Sequence, residues 1–212
     1  MVCAICEIRK PRRSCPGVNG DICAICCGTE REVTVNCPLD CEYLQGARRR
    51  EKPAPVEESA IPNQDIEVTE RLVQENLPLL DTLGAALIGT ALEIGAIDAD
   101  AREALAALVR TYRTLESGVY YDTRPTGSFA AALYERVQHA GSKFRSEEQR
   151  RAGVTRTRDA DMLGLMVFLQ RMELARNNGK PRGRAFIDSL RGYYSERASA
   201  VPATPPSSLL LP

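Results

Sequence analysis

The chain has 212 residues, enough for one ordinary domain and a small additional module. Its hydrophobic fraction of 43% is typical of a globular protein, and its 28 basic and 28 acidic residues give a formal net charge of zero. A neutral total excludes a global field that would steer the chain towards nucleic acid or an anionic membrane. The charge is unevenly distributed, since residues 53–140 carry six basic and fourteen acidic residues and residues 141–197 carry thirteen and seven. We interpret the two regions as complementary within the fold, with a basic face for a partner as the alternative.

All eight cysteines lie in the first 41 residues, and none occurs in the remaining 171. The chain opens on Met1-Val2-Cys3, so that no secretory signal precedes the first cysteine. We therefore expect a cytoplasmic location, where cysteines stay reduced and can act as thiolate ligands of a metal.

The spacing of the cysteines predicts two metal sites. A Cys-x-x-Cys turn places two thiolates at the separation that tetrahedral Zn²⁺ accepts, and two such turns make a closed structural site. The four cysteines left over can form a second site, and the two sets alternate along the chain as in a cross-brace. We expect two Zn²⁺ per chain, because forty residues can hardly build a hydrophobic core of their own. The first set is Cys3, Cys6, Cys23 and Cys26, and the second set is Cys15, Cys27, Cys37 and Cys41.

Over about forty residues this pattern resembles the cross-brace zinc fingers of the B-box and MYND types. Five cysteines match the first, second, third, fifth and sixth ligands of those fingers. The fourth position falls on Val18, which cannot bind zinc, and Cys27 looks like its replacement. The resemblance implies a role in protein–protein recognition, which is what such fingers mostly serve. The five matching residues are Cys3, Cys6, Cys15, Cys23 and Cys26.

Other chemistry is open to a cysteine cluster. A disulfide framework would need an oxidising compartment, and an iron–sulfur cluster fits less well because eight ligands divide into two tetrahedral sites. A redox role through Cys3/Cys6 or Cys26/Cys27 is an alternative, since thiolates near arginines can be reactive. Catalytic zinc is disfavoured, because such a site keeps an open position and usually mixes histidine or carboxylate with cysteine.

The cysteine module is expected to span residues 1–46. Within it, Glu32-Val33-Thr34-Val35 alternates and is rich in β-formers, which predicts a short strand. A charged and proline-punctuated linker follows over 47–62.

Residues 63–200 predict an α-helical domain, so that the fold class is mostly α: a small two-zinc finger followed by a bundle of about five helices. A helix should begin at Asn76 and end at Gly95, and Asp98 and Asp100 should cap the next. That second helix should end at Ser117-Gly118.

The third predicted helix buries a face that includes Phe129, Leu133 and Val137. The fourth follows Asp159-Ala160-Asp161 and is apolar nearly all round, which places it at the centre of the bundle. The last helix spans 185–197 and should bury Phe186, Leu190 and one of its two adjacent tyrosines. Residues 201–212 are rich in proline and are expected to be disordered or extended against a surface.

Little in the helical region indicates an enzyme. His139 is the only histidine and reads as a packed or surface residue. No phosphate-binding glycine loop is present, and helix capping accounts for the two Asp-Ala-Asp pairs. We therefore predict a protein that is not an enzyme.

The favoured hypothesis is a zinc-binding interaction or adaptor protein, whose finger docks a protein partner and whose helices give oligomerisation or a second surface. No membrane contact is expected. The second hypothesis is a nucleic-acid-binding or regulatory protein that contacts phosphate through arginines around the zinc sites. A redox-responsive zinc switch is third. The candidate phosphate contacts are Arg9, Lys10, Arg12, Arg13, Arg48, Arg49 and Arg50.

Overall fold

The computed structural model describes residues 1–51, 55–118 and 121–200, with side chains up to Ser195. Over these residues the chain is mostly helical, with a small cysteine-rich region at its N-terminus and one two-stranded sheet, which confirms the predicted fold class. The predicted disordered tail, 201–212, lies outside the described residues. The strands are β1 (Arg13–Cys15) and β2 (Gly20–Ile22), and the helices are α1 (Ala24–Thr29), α2 (Glu42–Arg48), α3 (Glu70–Glu75), α4 (Leu77–Ile94), α5 (Asp98–Glu116), α6 (Ser128–Ala152), α7 (Asp159–Arg176) and α8 (Ala185–Ala200).

The four longest helices, α4 to α7, pack together as a bundle in which the main contacts join helices that are not consecutive in the chain. Helix α4 packs against α6, and α5 packs against both α6 and α7. Helix α8 lies against α4 and α7. As predicted, α7 is buried on almost every side, because Met162 to Val167 are all buried and only Phe168 is partly exposed before Leu169. The apolar pattern of α7 therefore did indicate a central helix.

Helix α4 is long and apolar enough to cross a membrane by length and composition. Leu79, Leu83 and Leu87 of this helix are buried in the core of the bundle, whereas Leu77 and Leu92 are exposed. The helix predicted from Asn76 to Gly95 coincides with α4.

The acidic residues at the helix starts act differently from the prediction. Asp100 and Asp161 lie in the first turns of α5 and α7, and each accepts the N–H of the residue before its helix at 2.9 Å. Asp98 does not cap its own helix. Its carboxylate accepts the N–H groups of Phe186 and Ile187, at 3.0 and 3.1 Å, and so caps the start of α8.

One predicted buried residue is exposed. Phe129 was placed on the apolar face of α6 but is 47% exposed, whereas Leu133 and Val137 are buried as predicted. The reason is its position in the first turn of the helix, and the larger buried side chain of α6 is Tyr134. In α8, Phe186 and Leu190 are buried, while Tyr193 is exposed and Tyr194 is partly buried against the core.

The predicted strand at 32–35 is wrong. These residues form a turn, closed by an isolated bridge between Arg31 and Val35. The turn arises because the carbonyl of Glu30 accepts the N–H groups of three residues, 33 to 35, and because Glu32 adopts a φ of 56°. The true strands, β1 and β2, pair antiparallel across a turn that contains Asn19 in the left-handed region.

The cysteine-rich region lies against α8 and the loop that precedes it. Leu39 belongs to the same buried cluster as the bundle core. Arg191 of α8 donates to the carboxylate of Asp40 at 2.6 Å. Arg48, which the sequence placed in the linker, is the last residue of α2 and forms part of this junction.

Candidate metal centre

Four cysteines meet at one point in the N-terminal region. The sulfur atoms of Cys3, Cys6, Cys23 and Cys26 all lie within 4.8 Å of one another. Cys3, Cys23 and Cys26 are buried and Cys6 is partly exposed. Across residues 1–51, 55–118 and 121–200, this is the one group of three or more Cys, His, Asp or Glu side chains with ligand atoms so close. These are the four residues predicted as the first metal site.

Backbone hydrogen bonds hold the two cysteine loops in place. The N–H of Cys3 donates to the carbonyl of Arg9, and the N–H of Ala4 donates to Asp21 in β2, both at 2.9 Å. Cys23 caps α1, where its sulfur accepts the N–H of Cys26 at 3.4 Å. The N–H of Cys23 donates in turn to the sulfur of Cys3 at 3.2 Å. The strand hairpin thus carries the second loop to the first.

The pKa values of the Cys3 and Cys26 thiols are shifted in opposite directions. Burial raises the pKa of Cys3, but N–H donors led by those of Cys6 and Cys23 outweigh it and bring the pKa to about 6. Burial, with the neighbouring sulfurs, raises the pKa of Cys26 to about 12. Four thiolates so close cannot all be charged without a cation, so that some sulfurs keep their protons. A bound cation would remove this conflict, since metal coordination deprotonates a thiol outright.

The geometry suits a tetrahedral ion. Zn–S bonds of about 2.3 Å place the sulfurs of a tetrahedral site about 3.8 Å apart. The observed group, within 4.8 Å, needs only a small contraction to reach that arrangement. A zinc ion held here would take all four of its ligands from the protein, which is the pattern of a closed structural site.

The second predicted set is less tightly arranged. Its sulfurs do not form a group of the kind found for the first set, but all four cysteines line the same small cavity of about 20 Å³. Cys37 is buried, and burial raises the pKa of its thiol, with the nearby charges of Cys15 and Cys41 acting in the same direction. Arg31 donates to the sulfur of Cys27 at 3.6 Å. The fold thus brings the four together around one space, without the close sulfur contacts of the first set.

The basic residues proposed as phosphate contacts fall into distinct environments. Arg9, Lys10 and Arg12 are exposed, as are Arg49 and Arg50. The remaining two are engaged within the chain. The guanidinium of Arg13 stacks over the ring of Tyr43 at 4.3 Å, and that of Arg48 is held between two carboxylates.

Sequence reasoning missed Glu32, the residue that joins the cysteine-rich region (below, the metal region) to the helical bundle. Glu32 is 1% exposed and accepts hydrogen bonds from Arg48 at 2.6 Å and from Asn178 at 2.8 Å. It also accepts the N–H of Arg184 at 3.1 Å. Its sequence neighbourhood, a short alternating stretch, pointed to a strand and away from an anchor. Arg31 precedes Glu32 and Val33 follows it, so that no local pattern marked this residue as an anchor.

We compared the chain with known protein families, with curated proteins and with solved structures, and none of them matches it. The first four-cysteine group is therefore established by its geometry alone. The likeness to B-box and MYND fingers stays a prediction.

Proposed function

We propose that the protein is a non-enzymatic zinc-binding interaction protein, in which zinc holds the N-terminal region in shape and that region docks a protein partner. The observation that carries the proposal is the meeting of four largely buried sulfurs within 4.8 Å. Zinc suits an all-cysteine, four-ligand site with no redox change, and a closed site is structural. Structural zinc supplies folding free energy to a segment that has little apolar core.

The proposal includes a second zinc at Cys15, Cys27, Cys37 and Cys41. Its support is the single cavity that all four residues line, together with the charge interaction of Cys37 with Cys15 and Cys41. Arg31 would then donate to a zinc-bound thiolate, as outer-shell groups of metal sites often do.

The proposed role as an adaptor rests on how the region is built. The junction through Glu32 and Asp40 fixes it on α8, so that its outer loops are presented on a rigid base. The chain's one histidine, His139, is exposed on α6 and joins no cluster of ligands or bases among the described residues. Recognition therefore fits these features better than catalysis, and a cytoplasmic location keeps the thiols reduced.

Zinc content tests the metal part directly. Purified full-length protein should contain about two zinc ions per chain by elemental analysis, given four thiolates per tetrahedral ion. Cys27→Ser should remove one ion and leave the first site occupied, and Cys23→Ser should remove the other. A wild-type protein without zinc would contradict the metal site. A wild-type protein with only one ion, retained in Cys27→Ser, would contradict the second site.

The partner part is tested by affinity capture with tagged full-length protein, with and without nuclease. A specific protein that is retained after nuclease treatment, and at high salt, supports the adaptor role. The exposed Arg9, Lys10, Arg12, Arg49 and Arg50 favour nucleic acid as the second candidate. In that case binding to oligonucleotides should weaken steeply with salt, because phosphate contacts release counterions.

A further inference from the structure

The two Cys-Ala-Ile-Cys tetrapeptides share one sequence but place their isoleucines differently. Ile5 is partly buried and packs against both cysteine clusters. Ile25, in the second copy, is 55% exposed on α1. Ile8, two residues after the first copy, is 82% exposed. Zinc binding requires the sulfurs and the backbone N–H groups, so that metal chemistry does not explain exposed aliphatic side chains at these two positions.

The exposed isoleucines belong to loops that meet at the first metal site. The sulfurs of the two loops lie within 4.8 Å of one another. Arg9 follows Ile8 directly, and its guanidinium hydrogen-bonds to Cys6 and Cys23, one sulfur from each loop, which raises its pKa. Arg9 therefore reaches from the first loop to the second. We call Ile8, Ile25, Arg9, Lys10 and Arg12 the knuckle surface.

The knuckle surface carries two cations, Lys10 and Arg12, that pair with no carboxylate among the described residues, whereas Arg9 lies against the sulfurs of Cys6 and Cys23. Arg9, Lys10 and Arg12 are exposed, and across the described residues none of them forms an ion pair with a carboxylate. Many basic residues of the bundle are paired, as Arg102 is with Glu173. Charge complementarity therefore favours an acidic partner.

We propose that the knuckle surface binds an acidic segment of a protein partner. An apolar side chain of that segment covers Ile8 and Ile25, and its carboxylates pair with Lys10 and Arg12. Removing the exposed aliphatic surface from water provides the drive, and the charges select the partner and speed its approach. The proposal rests on the proposed function, because the metal holds the two loops together.

The chemistry of the surface favours a protein over nucleic acid. Single-stranded nucleic acid is commonly bound by aromatic side chains on which bases stack, next to a basic groove. The exposed apolar side chains of the knuckle surface, Ile8 and Ile25, are aliphatic and offer no stacking face and no hydrogen bond to a base.

A display library of short random peptides, selected on zinc-loaded full-length protein, tests this directly. The selected peptides should combine Asp or Glu with Leu, Ile, Met or Phe. Failure to enrich any sequence, or enrichment of basic or uncharged sequences, overturns the proposal. Zinc measured on the same preparation separates the two ideas: no zinc contradicts the metal site, whereas zinc without acidic peptides contradicts only the surface.

Two double variants locate the binding. Ile8→Asp with Ile25→Asp, and separately Lys10→Glu with Arg12→Glu, should each weaken a selected peptide at least about tenfold, as loss of a central contact does. Both variants should keep the zinc of the wild type, because the substituted side chains are exposed and are not ligands. The matched control is Val154→Asp with Arg156→Glu, two exposed positions after α6, which should bind the peptide as the wild type does.

Competition with oligonucleotides tests whether the knuckle surface binds nucleic acid. Labelled single- and double-stranded oligonucleotides should not compete with the peptide. Oligonucleotide binding that falls in the Lys10→Glu/Arg12→Glu variant but is unchanged in the Ile8→Asp/Ile25→Asp variant overturns the proposal in favour of a phosphate-binding surface. Equal peptide affinity of wild type and both double variants also overturns it.

Discussion

The guanidinium of Arg48 lies 2.6 Å from the buried carboxylate of Glu32, and it also pairs with Asp188 of α8. Glu32 stands between Cys27 and Cys37, whereas Arg48 ends α2, seven residues after Cys41. One ion pair thus ties the loop of the second cysteine set to the helix that follows it, and through Asp188 to the bundle. This arrangement makes the stability of the metal region depend on its contact with the helices.

Glu32→Ala should lower the free energy of unfolding of the zinc-loaded protein by about 3 kcal/mol, as loss of one partner of a buried ion pair does. The guanidinium of Arg48 would lose one of its two carboxylates, and the amide of Asn178 would lose its acceptor. Denaturant unfolding followed by far-UV circular dichroism measures the change.

The matched control is Glu75→Ala, which removes an exposed pair with Arg71 on α3. That change should cost less than about 0.5 kcal/mol, because exposed pairs within one helix contribute little. Equal losses in the two variants would show that Glu32 does not anchor the metal region.

Removal of zinc should loosen the N-terminal region and leave the helical bundle folded. The bundle has its own buried cluster, with Leu83, Leu105 and Leu108 fully buried, while the first cysteine cluster consists mainly of the ligands themselves. With a strong chelator, amide hydrogen exchange should accelerate over about the first fifty residues, because structural metal supplies their folding free energy. Protection in α5 and α7 should stay unchanged, and its collapse together with the metal region would contradict this division.

Much of the helical fold follows from the sequence, because it depends on local patterns. The N-terminal proline of α4, Gly95 after its end and the apolar run of α7 each lie within one element, and both ends of α4 were predicted correctly. The role of Asp98 could not be predicted in this way, since its partners are the N–H groups of Phe186 and Ile187, almost ninety residues away.

The two cysteine sets also differ in how far they can be predicted from local sequence. The first cysteine set follows from two Cys-x-x-Cys turns, whose spacing fixes the sulfur positions locally. The second set depends on how Cys15, Cys27, Cys37 and Cys41 come together from four different segments. The strand prediction for the segment before Cys37 failed for two reasons. The N–H groups up to Val35 donate to the carbonyl of Glu30 and form a turn, and the buried position of Glu32 depends on its ion pair with Arg48. The sequence did contain a signal for the hairpin of β1 and β2, because Asn19-Gly20 is a common turn pair.

Asp98 predicts a pH dependence of stability. Burial raises its pKa to about 6, although the N–H groups of Phe186 and Ile187 act in the opposite direction. Because the folded pKa lies above the ordinary value of 3.8, protonation favours the folded state. The contribution of this group to the free energy of unfolding is therefore full below about pH 4 and is lost as the pH rises through about 6.

Asp98→Asn keeps an acceptor for α8 but does not titrate. The difference in free energy of unfolding, wild type minus Asp98→Asn, should decrease by about 2 kcal/mol between pH 4 and pH 7, which follows from a pKa shift of this size. Denaturant titrations of both proteins at several pH values measure it, and effects of pH on zinc cancel in the difference. A difference that does not change with pH, or that increases, would show that Asp98 is not held in this way.

Gly17 should be required for the second metal site. A Cβ atom at this position would lie 2.7 Å from the carbonyl oxygen of Asn36 and 2.7 Å from a methyl group of Val35. Gly17 lies two residues after Cys15, and Asn36 directly precedes Cys37, so that this contact brings two segments of the second set together. A backbone oxygen cannot move aside as a flexible side chain can. Gly17→Ala should therefore separate Cys15 from Cys37 and reduce zinc from about two ions per chain to about one, since each tetrahedral site needs all four ligands.

Gly28→Ala is the matched control for this substitution. Gly28 directly follows Cys27, also a member of the second set, but an added Cβ there meets no atom within 4 Å. It lies in α1, where alanine is favoured over glycine by about 1 kcal/mol, so that the control should bind zinc fully and be as stable as the wild type or more so. The zinc content of both variants and of Cys27→Ser, measured by elemental analysis, separates the two sites. Loss of an ion in Gly17→Ala but not in Gly28→Ala would identify the contact between Gly17 and Asn36 as the structural basis of the second site. Full zinc in both variants would show that the second site does not depend on this contact.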